Sequence, residues 1–376
     1  MRKLYRFWQA IRYLLIGNPK YRLTAQYLLS LFIAVDLAFL VGAGIMLLTG
    51  YDPIVCYKAL FVGALGKTRA LGNTFAKTAT LCLTGLAMSV AAKAGIFNVG
   101  GEGQLYFGGL AAAVVGASLI GAPAWVIILC ALLAALIAGG FYAWIPGILK
   151  VKLKVDEVVT TILMNSAAIY LCSYLANGPL KTTERGISSG TDSIAASFSP
   201  IIRLSNLNGS IWIAILAALC IWYLMTRSTM GFEMKITGTN SRFARYGGIR
   251  SDRLMIIGMV ISGMLCGLVG MIEVFGIHKR FITNLSAGYY FDGMLVAMIM
   301  RYQPFGVILM SFFFAILTIG GSAMELSAGI SGEVILIVQA VIIFFMAAEG
   351  GIRQSLRAYA AKRRVKREHA GEVRAV

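Results

Sequence analysis

Ten apolar stretches separated by short polar segments set the pattern of this chain: 27–49, 76–94, 104–120, 124–147, 157–177, 211–226, 254–274, 288–301, 304–322 and 333–349. A helix of about 20 residues crosses the hydrocarbon core of a bilayer. The pattern therefore predicts an all-α polytopic membrane protein of about ten transmembrane helices. The stretches at 104–120, 211–226 and 288–301 are short for a full crossing. Short, glycine-interrupted segments are expected where a transporter handles its solute. The same pattern divides the chain into a basic arm over 1–26, a membrane domain over 27–351 and a basic tail over 352–376.

Composition sharpens this picture. The 376 residues are 59% hydrophobic and 13% charged, against about a quarter charged in a soluble domain. No polar stretch is long enough to make a second, soluble domain.

Charge supplies orientation. The net charge is +18, yet the basic residues cluster in a few places. They are Arg2, Lys3, Arg6, Arg12, Lys20 and Arg22; Lys150, Lys152 and Lys154; Arg227, Lys235, Arg242, Arg245, Arg250 and Arg253; and seven between Arg353 and Arg367. Even numbers of crossings separate these clusters. All then fall on one side, which should be the cytoplasm, with both termini there. Loops 50–75 and 178–209 fall on the other side. The polar centre of the second loop, Ser188–Asp192, is either a solvated connector or a contact for an extracytoplasmic partner. No aromatic–basic surface accompanies the charge, so no nucleic-acid partner is expected. The N-terminal segment has no cleavage site after a short apolar core and is read as retained.

Candidate chemistry is sparse. The six cysteines form no CxxC pair, and the two histidines, His278 and His369, stand apart. No metal site is expected. Gly66-Lys67-Thr68 ends like a P-loop, but the required earlier glycine is Phe61. Gly101-Glu102-Gly103 begins like a dinucleotide fingerprint, but Tyr106 stands at the third glycine position. The HExxH pattern is missing. The chain is therefore not expected to be an enzyme or to bind a cofactor, and any ATP-driven function needs an ATPase on another chain.

Three segments remain. In Ala94-Gly95-Ile96-Phe97-Asn98-Val99-Gly100-Gly101-Glu102-Gly103-Gln104, a glycine-rich polar stretch interrupts two apolar runs. Irregular backbone survives at membrane depth only when buried in protein or facing a water-filled cavity, so this stretch reads as a soft, polar hinge that lines a solute path. A tight turn with Glu102 at a helix start is an equally open reading. Thr237–Ile249 places Asn240 or Ser241 to cap a short helix, Phe243 and Tyr246 on one face, and Gly247 at its end. Its aromatics suit either a docking partner or lipid headgroups. Gly263, Gly267 and Gly270 form a close-packing pattern within one span. Asp36 and Glu273 are acids in or at the ends of spans. A faint internal echo links Asn98–Val115 with Asn284–Met300.

AGIFNVGGEGQ at 94–104, VDEVVTTILMN at 155–165 and GTNSRFARYGGI at 238–249 occur in this order. Together they resemble the permease subunits of bacterial ABC importers in the branched-chain amino acid, sugar and nucleoside group, over about Leu29–Gly351. The first motif is similar to that of the nucleoside and simple-sugar branch. The chain departs from the family at Met300-Arg301-Tyr302-Gln303-Pro304, where Gly-Arg-Asn-Xaa-Pro is more usual, and its coupling segment lacks the Glu-Ala-Ala start. The resemblance implies a pair of permeases, often two different chains, two cytoplasmic ATPases that bind the ATP, and an external binding protein that is often a lipoprotein. It implies a nucleoside as cargo, with a sugar as the alternative. It also implies that Asn98, Gly100, Gly101, Glu102 and Gln104, with Asn165, shape the path. Asn240, Arg242, Phe243, Tyr246 and Gly247 would seat in the ATPase. A secondary carrier would instead need ionisable groups within the membrane, and the sequence reads as poor in them.

Overall fold

The structure, a computed structural model, describes residues 19–183, 189–348 and Gly351, with side chains from Ile33 onward. Thirteen α-helices follow among the described residues: α1 (Pro19–Leu48), α2 (Pro53–Leu65), α3 (Thr68–Lys93), α4 (Gly101–Ser118), α5 (Ala124–Leu153), α6 (Glu157–Asn177), α7 (Ser210–Arg227), α8 (Thr229–Thr239), α9 (Ser241–Tyr246), α10 (Ser251–Glu273), α11 (Tyr289–Ile299), α12 (Pro304–Ala328) and α13 (Gly332–Ala347). A π turn, Val274–His278, extends α10. The arm and tail expected over 1–26 and 352–376 lie outside the described residues, except that α1 already begins at Pro19.

Six helices are long and apolar enough to cross a membrane: α3, α5, α6, α7, α12 and α10 with its π turn. Ile33–Leu48 of α1, and α2, α11 and α13, are apolar but shorter. The fold is thus helical and multi-pass, with six clear spans among the described residues; the apolar pattern suggested about ten. The segment 50–75 is not simply a loop. It contains α2, whose Pro53 stands at its first helical position, where no backbone N–H is needed.

The chain forms two compact units. One comprises residues up to Lys58 together with those from Met324 onward. In it α13 packs on α1. The Tyr57 hydroxyl donates to the Phe39 carbonyl at 2.7 Å, and the two rings meet edge-on.

The larger unit, Ala59–Ala323, holds all three motifs. Its axis is α10, which packs against α3, α4 and α5. Glycine makes these contacts close. A Cβ on Gly108 of α4 would lie 2.2 Å from the Gly267 Cα, and one on Gly270 would lie 2.1 Å from the Leu105 carbonyl oxygen. On the other side of α10, a Cβ on Gly139 of α5 would lie 2.3 Å from the Gly263 oxygen. The Gly263–Gly267–Gly270 series therefore serves two neighbours, bringing backbone onto backbone where lipid tails offer no hydrophobic drive between helices. By contrast, α5 and α6 turn Leu133, Ile137, Phe141, Leu163 and Tyr170 outward, as lipid-facing helices do.

The segment 189–209 is tied down rather than free. The amides of Thr191, Ile194 and Phe198 donate to the carbonyls of Phe281, Lys279 and Phe275 at 3.0–3.1 Å. Asn206 N–H donates to Asn73 Oδ1 at 2.8 Å. Ser188, part of its predicted centre, lies outside the described residues.

Gly267→Ala places a methyl 2.3 Å from the Ala135 carbonyl oxygen. It is expected to cost about 1–3 kcal/mol through overpacking. Gly44→Ala, with open space at its Cβ, is expected to be neutral or to stabilise by about 0.5–1 kcal/mol. Thermal unfolding midpoints of the purified protein in detergent check both.

Candidate functional site: a buried helix break

The break between α3 and α4 begins as a helix stop. Gly95 takes the left-handed conformation at φ +84°. Its N–H donates to the Ala92 carbonyl and that of Ile96 to the Ala91 carbonyl, both at 3.1 Å. This is a Schellman motif, which satisfies the last carbonyls of a helix. The accompanying apolar contact is present: Ile96 is buried with Ala91, Ala143 of α5 and Met259 of α10. The residues that read as a flexible hinge thus form a specified turn.

Beyond it, every polar side chain of the motif is buried and bonded. Asn98 Oδ1 accepts from Gly100 N–H at 2.9 Å and from Gln104 Nε2 at 3.1 Å. Asn98 Nδ2 donates to Gln104 Oε1 and to Ser262 Oγ of α10, each at 2.9 Å. The second motif completes the set from α6. Asn165 Oδ1 accepts from Gly103 N–H and its Nδ2 donates to the Val99 carbonyl, both at 2.8 Å. Thr161 Oγ1 accepts from Val99 N–H at 3.3 Å. Asp156, the second motif's acid, caps α6 by accepting from Val158 and Val159 N–H. Glu157 pairs with Lys150 at 2.5 Å.

Glu102 reaches a third element. Its Oε2 accepts from Tyr290 N–H at 3.0 Å. The carboxylate therefore sits at the N-terminus of α11, where the first amides lack helical partners and the dipole favours negative charge. Tyr290 is fully buried and donates its hydroxyl to the Asn98 carbonyl. Gly101 makes room for it, since a Cβ there would fall 2.0 Å from the Tyr290 ring. The two segments linked by the faint sequence echo thus pack on each other.

The third motif also arrives here. Asn240 caps α9, its Oδ1 accepting from Phe243 N–H at 3.0 Å. Ala244 is buried, whereas Arg242, Phe243 and Tyr246 are exposed, Tyr246 at 92%. The helix ends at Tyr246, with Gly247 following at φ −78°. The left-handed position falls one residue later, on Gly248 at φ +81°. Arg245 pairs with Asp252 at 2.5 Å. Just before α9, Gly238 of α8 meets the end of α3. A Cβ on Gly238 would lie 2.5 Å from the Lys93 oxygen, and one on Gly95 would lie 3.2 Å from the Gly238 Cα. Backbone lies against backbone at the joint between the first and third motifs.

The structure therefore brings Asn98, Gly100, Gly101, Glu102, Gln104 and Asn165 into one buried cluster. Asn240, Arg242, Phe243, Tyr246 and Gly247 sit on a separate exposed helix joined to that cluster through Gly238. Sequence reasoning missed Ser262 and Tyr290; only the echo segment 284–300 pointed towards the second. It also missed a polar cavity of about 280 Å³ lined by Lys77, Thr80, Glu273, Tyr289 and Asp292. Lys77 was hidden at the edge of an apolar run. The departure at Arg301–Tyr302 falls where both residues take positive φ, +51° and +59°, a region that asparagine tolerates better than tyrosine. Among the described residues no group of three His, Cys, Asp or Glu is placed to hold a metal ion.

Comparison with known proteins gives consistent relatives. Residues 70–347 match the family described as branched-chain amino acid transport system / permease component. The guanosine ABC transporter permease protein NupP of Bacillus subtilis is 36% identical over 87% of this chain and 95% of its own length. The nucleoside ABC transporter permease protein NupB of Lactococcus lactis is 33% identical over 84% of this chain and 90% of its own. The glucose ABC transporter permease protein TsgB13 of Haloferax volcanii is 31% identical over 82% and 84%.

Asn165→Leu strips partners from the Gly103 N–H and the Val99 carbonyl. Each orphaned group is expected to cost about 1–3 kcal/mol. Gly101→Ala is expected to destabilise by about 1–3 kcal/mol and to regain part of that loss when Tyr290→Leu is added. A double-mutant cycle on unfolding midpoints measures both, and additivity of Gly101 and Tyr290 would contradict the packing described.

Proposed function

The chain belongs to the family of permease components of branched-chain amino acid transport systems, and from that premise we propose that it carries a nucleoside through the membrane in an importer driven by a separate ATPase. The observation that carries the reading is the meeting of three motifs, on α3–α4, α6 and α8–α9, at one buried joint. An exposed helix on one side of that joint and a broken membrane backbone on the other are what a driven gate requires.

In this reading Asn98, Gly100, Gly101, Glu102, Gln104 and Asn165 shape the path as its frame. Their polar groups hold the break in one geometry instead of offering themselves to the solute. Arg242, Phe243 and Tyr246, on the helix capped by Asn240 and ended at Gly247, seat in a cytoplasmic ATPase. ATP-driven closure of that partner then moves α9, and the Gly238–Gly95 contact passes the movement to α3 and the break. Closure shifts the equilibrium only because the ATPase pair binds one permease state better than the other. The chain works beside a second permease, the same or different, and an extracytoplasmic binding protein, possibly a lipoprotein. The basic clusters favour the cytoplasmic side for both termini of an inner-membrane protein.

Nucleoside cargo is favoured by the two nucleoside-named relatives of highest identity quoted above. A sugar is the second reading, supported by the glucose permease. An ion-coupled carrier gains one point that the sequence withheld, since Lys77, Glu273 and Asp292 line a common cavity. ATP dependence separates it from the importer.

Phe243→Ala with Tyr246→Ala removes two exposed aromatic anchors. Each loss is expected to cost about 2 kcal/mol of docking, near thirtyfold in affinity. ATP-driven nucleoside uptake into vesicles should collapse at normal membrane levels. Gly238→Val, which forces α8 off the end of α3, should leave ATPase docking intact yet abolish uptake. Unchanged uptake in either variant, or full uptake without ATP, would overturn the proposal.

A further inference from the structure

We propose that the cavity between α3, α10, α11 and α12 is where the permease holds the sugar hydroxyls of its solute, with Glu273 and Asp292 as the acceptors. The proposal rests on the importer reading above and assigns that reading's binding residues.

The cavity, of about 280 Å³, is walled by Lys77 and Thr80 of α3, Glu273 of α10, Tyr289 and Asp292 of α11, and Asn206 of the 189–209 segment. Its size lies near the lower end of small-molecule sites, roughly 300–1,000 Å³, and suits one small solute. Glu273 is only 2% exposed. Its Oε1 accepts from Thr80 Oγ1 at 3.0 Å. Among the described residues its Oε2 has no hydrogen-bond partner. A buried carboxylate oxygen without a donor is expensive.

Lys77 does not fill the role. Its ammonium lies 3.2 Å from the centroid of the Tyr289 ring, held by the ring's negative face. Neither Glu273 nor Asp292 forms an ion pair with it among the described residues. Two carboxylates against one cation leave the cavity rich in acceptors. Carboxyl oxygens accept, so a fitting solute brings several donors, as the vicinal hydroxyls of a ribose ring do.

The site lies beside the helix break. Tyr289 and Asp292 stand in the first turn of α11, whose N-terminus Glu102 holds. Movement of the break therefore moves two walls of the cavity, which is the geometry for releasing a bound solute.

The test uses the assembled importer in liposomes: this chain with its ATPase, partner permease and binding protein. ATP-driven uptake of inosine and of 2′,3′-dideoxyinosine is measured with the binding protein saturated by each. The wild type should move inosine about tenfold faster or more, the size of one lost buried hydrogen bond. Glu273→Gln and Asp292→Asn, both isosteric, should lower inosine uptake and bring the ratio towards one. A wild-type ratio near one overturns the proposal and needs no variant. An unchanged ratio in assembled Glu273→Gln and Asp292→Asn also overturns it. Wild-type assemblies that move neither solute with ATP overturn the nucleoside-importer reading itself, and this inference with it.

Discussion

A backbone that breaks inside a membrane protein must find all its hydrogen-bond partners within the chain. The segment between α3 and α4 meets that demand almost residue by residue. Gly95 and Ile96 close the end of α3. Asn165 supplies both a donor and an acceptor to Val99 and Gly103. Asn98 bonds Gly100, Gln104 and Ser262. The same demand explains Glu102, which satisfies the start of α11 instead of facing water. Much else follows from this one constraint. The second motif sits where it does because Asn165 must reach the break, and Tyr290 is buried because Gly101 has no side chain.

The surrounding packing makes the joint stiff. Glycines on α4, α5 and α10 let backbones touch, and interiors packed this way pass on displacement instead of absorbing it. The contact between Gly95 and Gly238 extends that stiffness to the helix carrying Phe243 and Tyr246. A subunit driven from outside needs such a train. A push on a soft loop would be lost in the loop, whereas a push on α8 reaches the end of α3 through main-chain atoms.

The multi-pass helical class was legible because long apolar runs have few alternatives. The number of crossings is less legible, because hydropathy does not tell a full span from a short apolar helix such as α2 or α11. The break at 94–104 was legible from its glycines, and Asn240 as a cap from its position before an aromatic helix. Reading the break as soft was natural and differs from what is found: glycine permits a conformation, while the Schellman bonds and Asn165 select it. Lys77 and Asp292 escaped notice because a single charge at the edge of an apolar run looks like an interfacial residue. Only the tertiary arrangement puts them opposite Glu273. Ser262 carried no signal in the sequence, since a lone serine in a span has many reasons to be there.

Amide hydrogen exchange across residues 96–104 tests the central claim most directly. A polar, glycine-rich connector between two helices would ordinarily exchange within the range of exposed loops. If the three motifs lock the break as described, the amides of Val99, Gly100 and Gly103 should exchange as slowly as those in the middle of α10, and Asn165→Leu should release them. Exchange at the rate of the 119–123 turn in the wild-type protein would contradict the account.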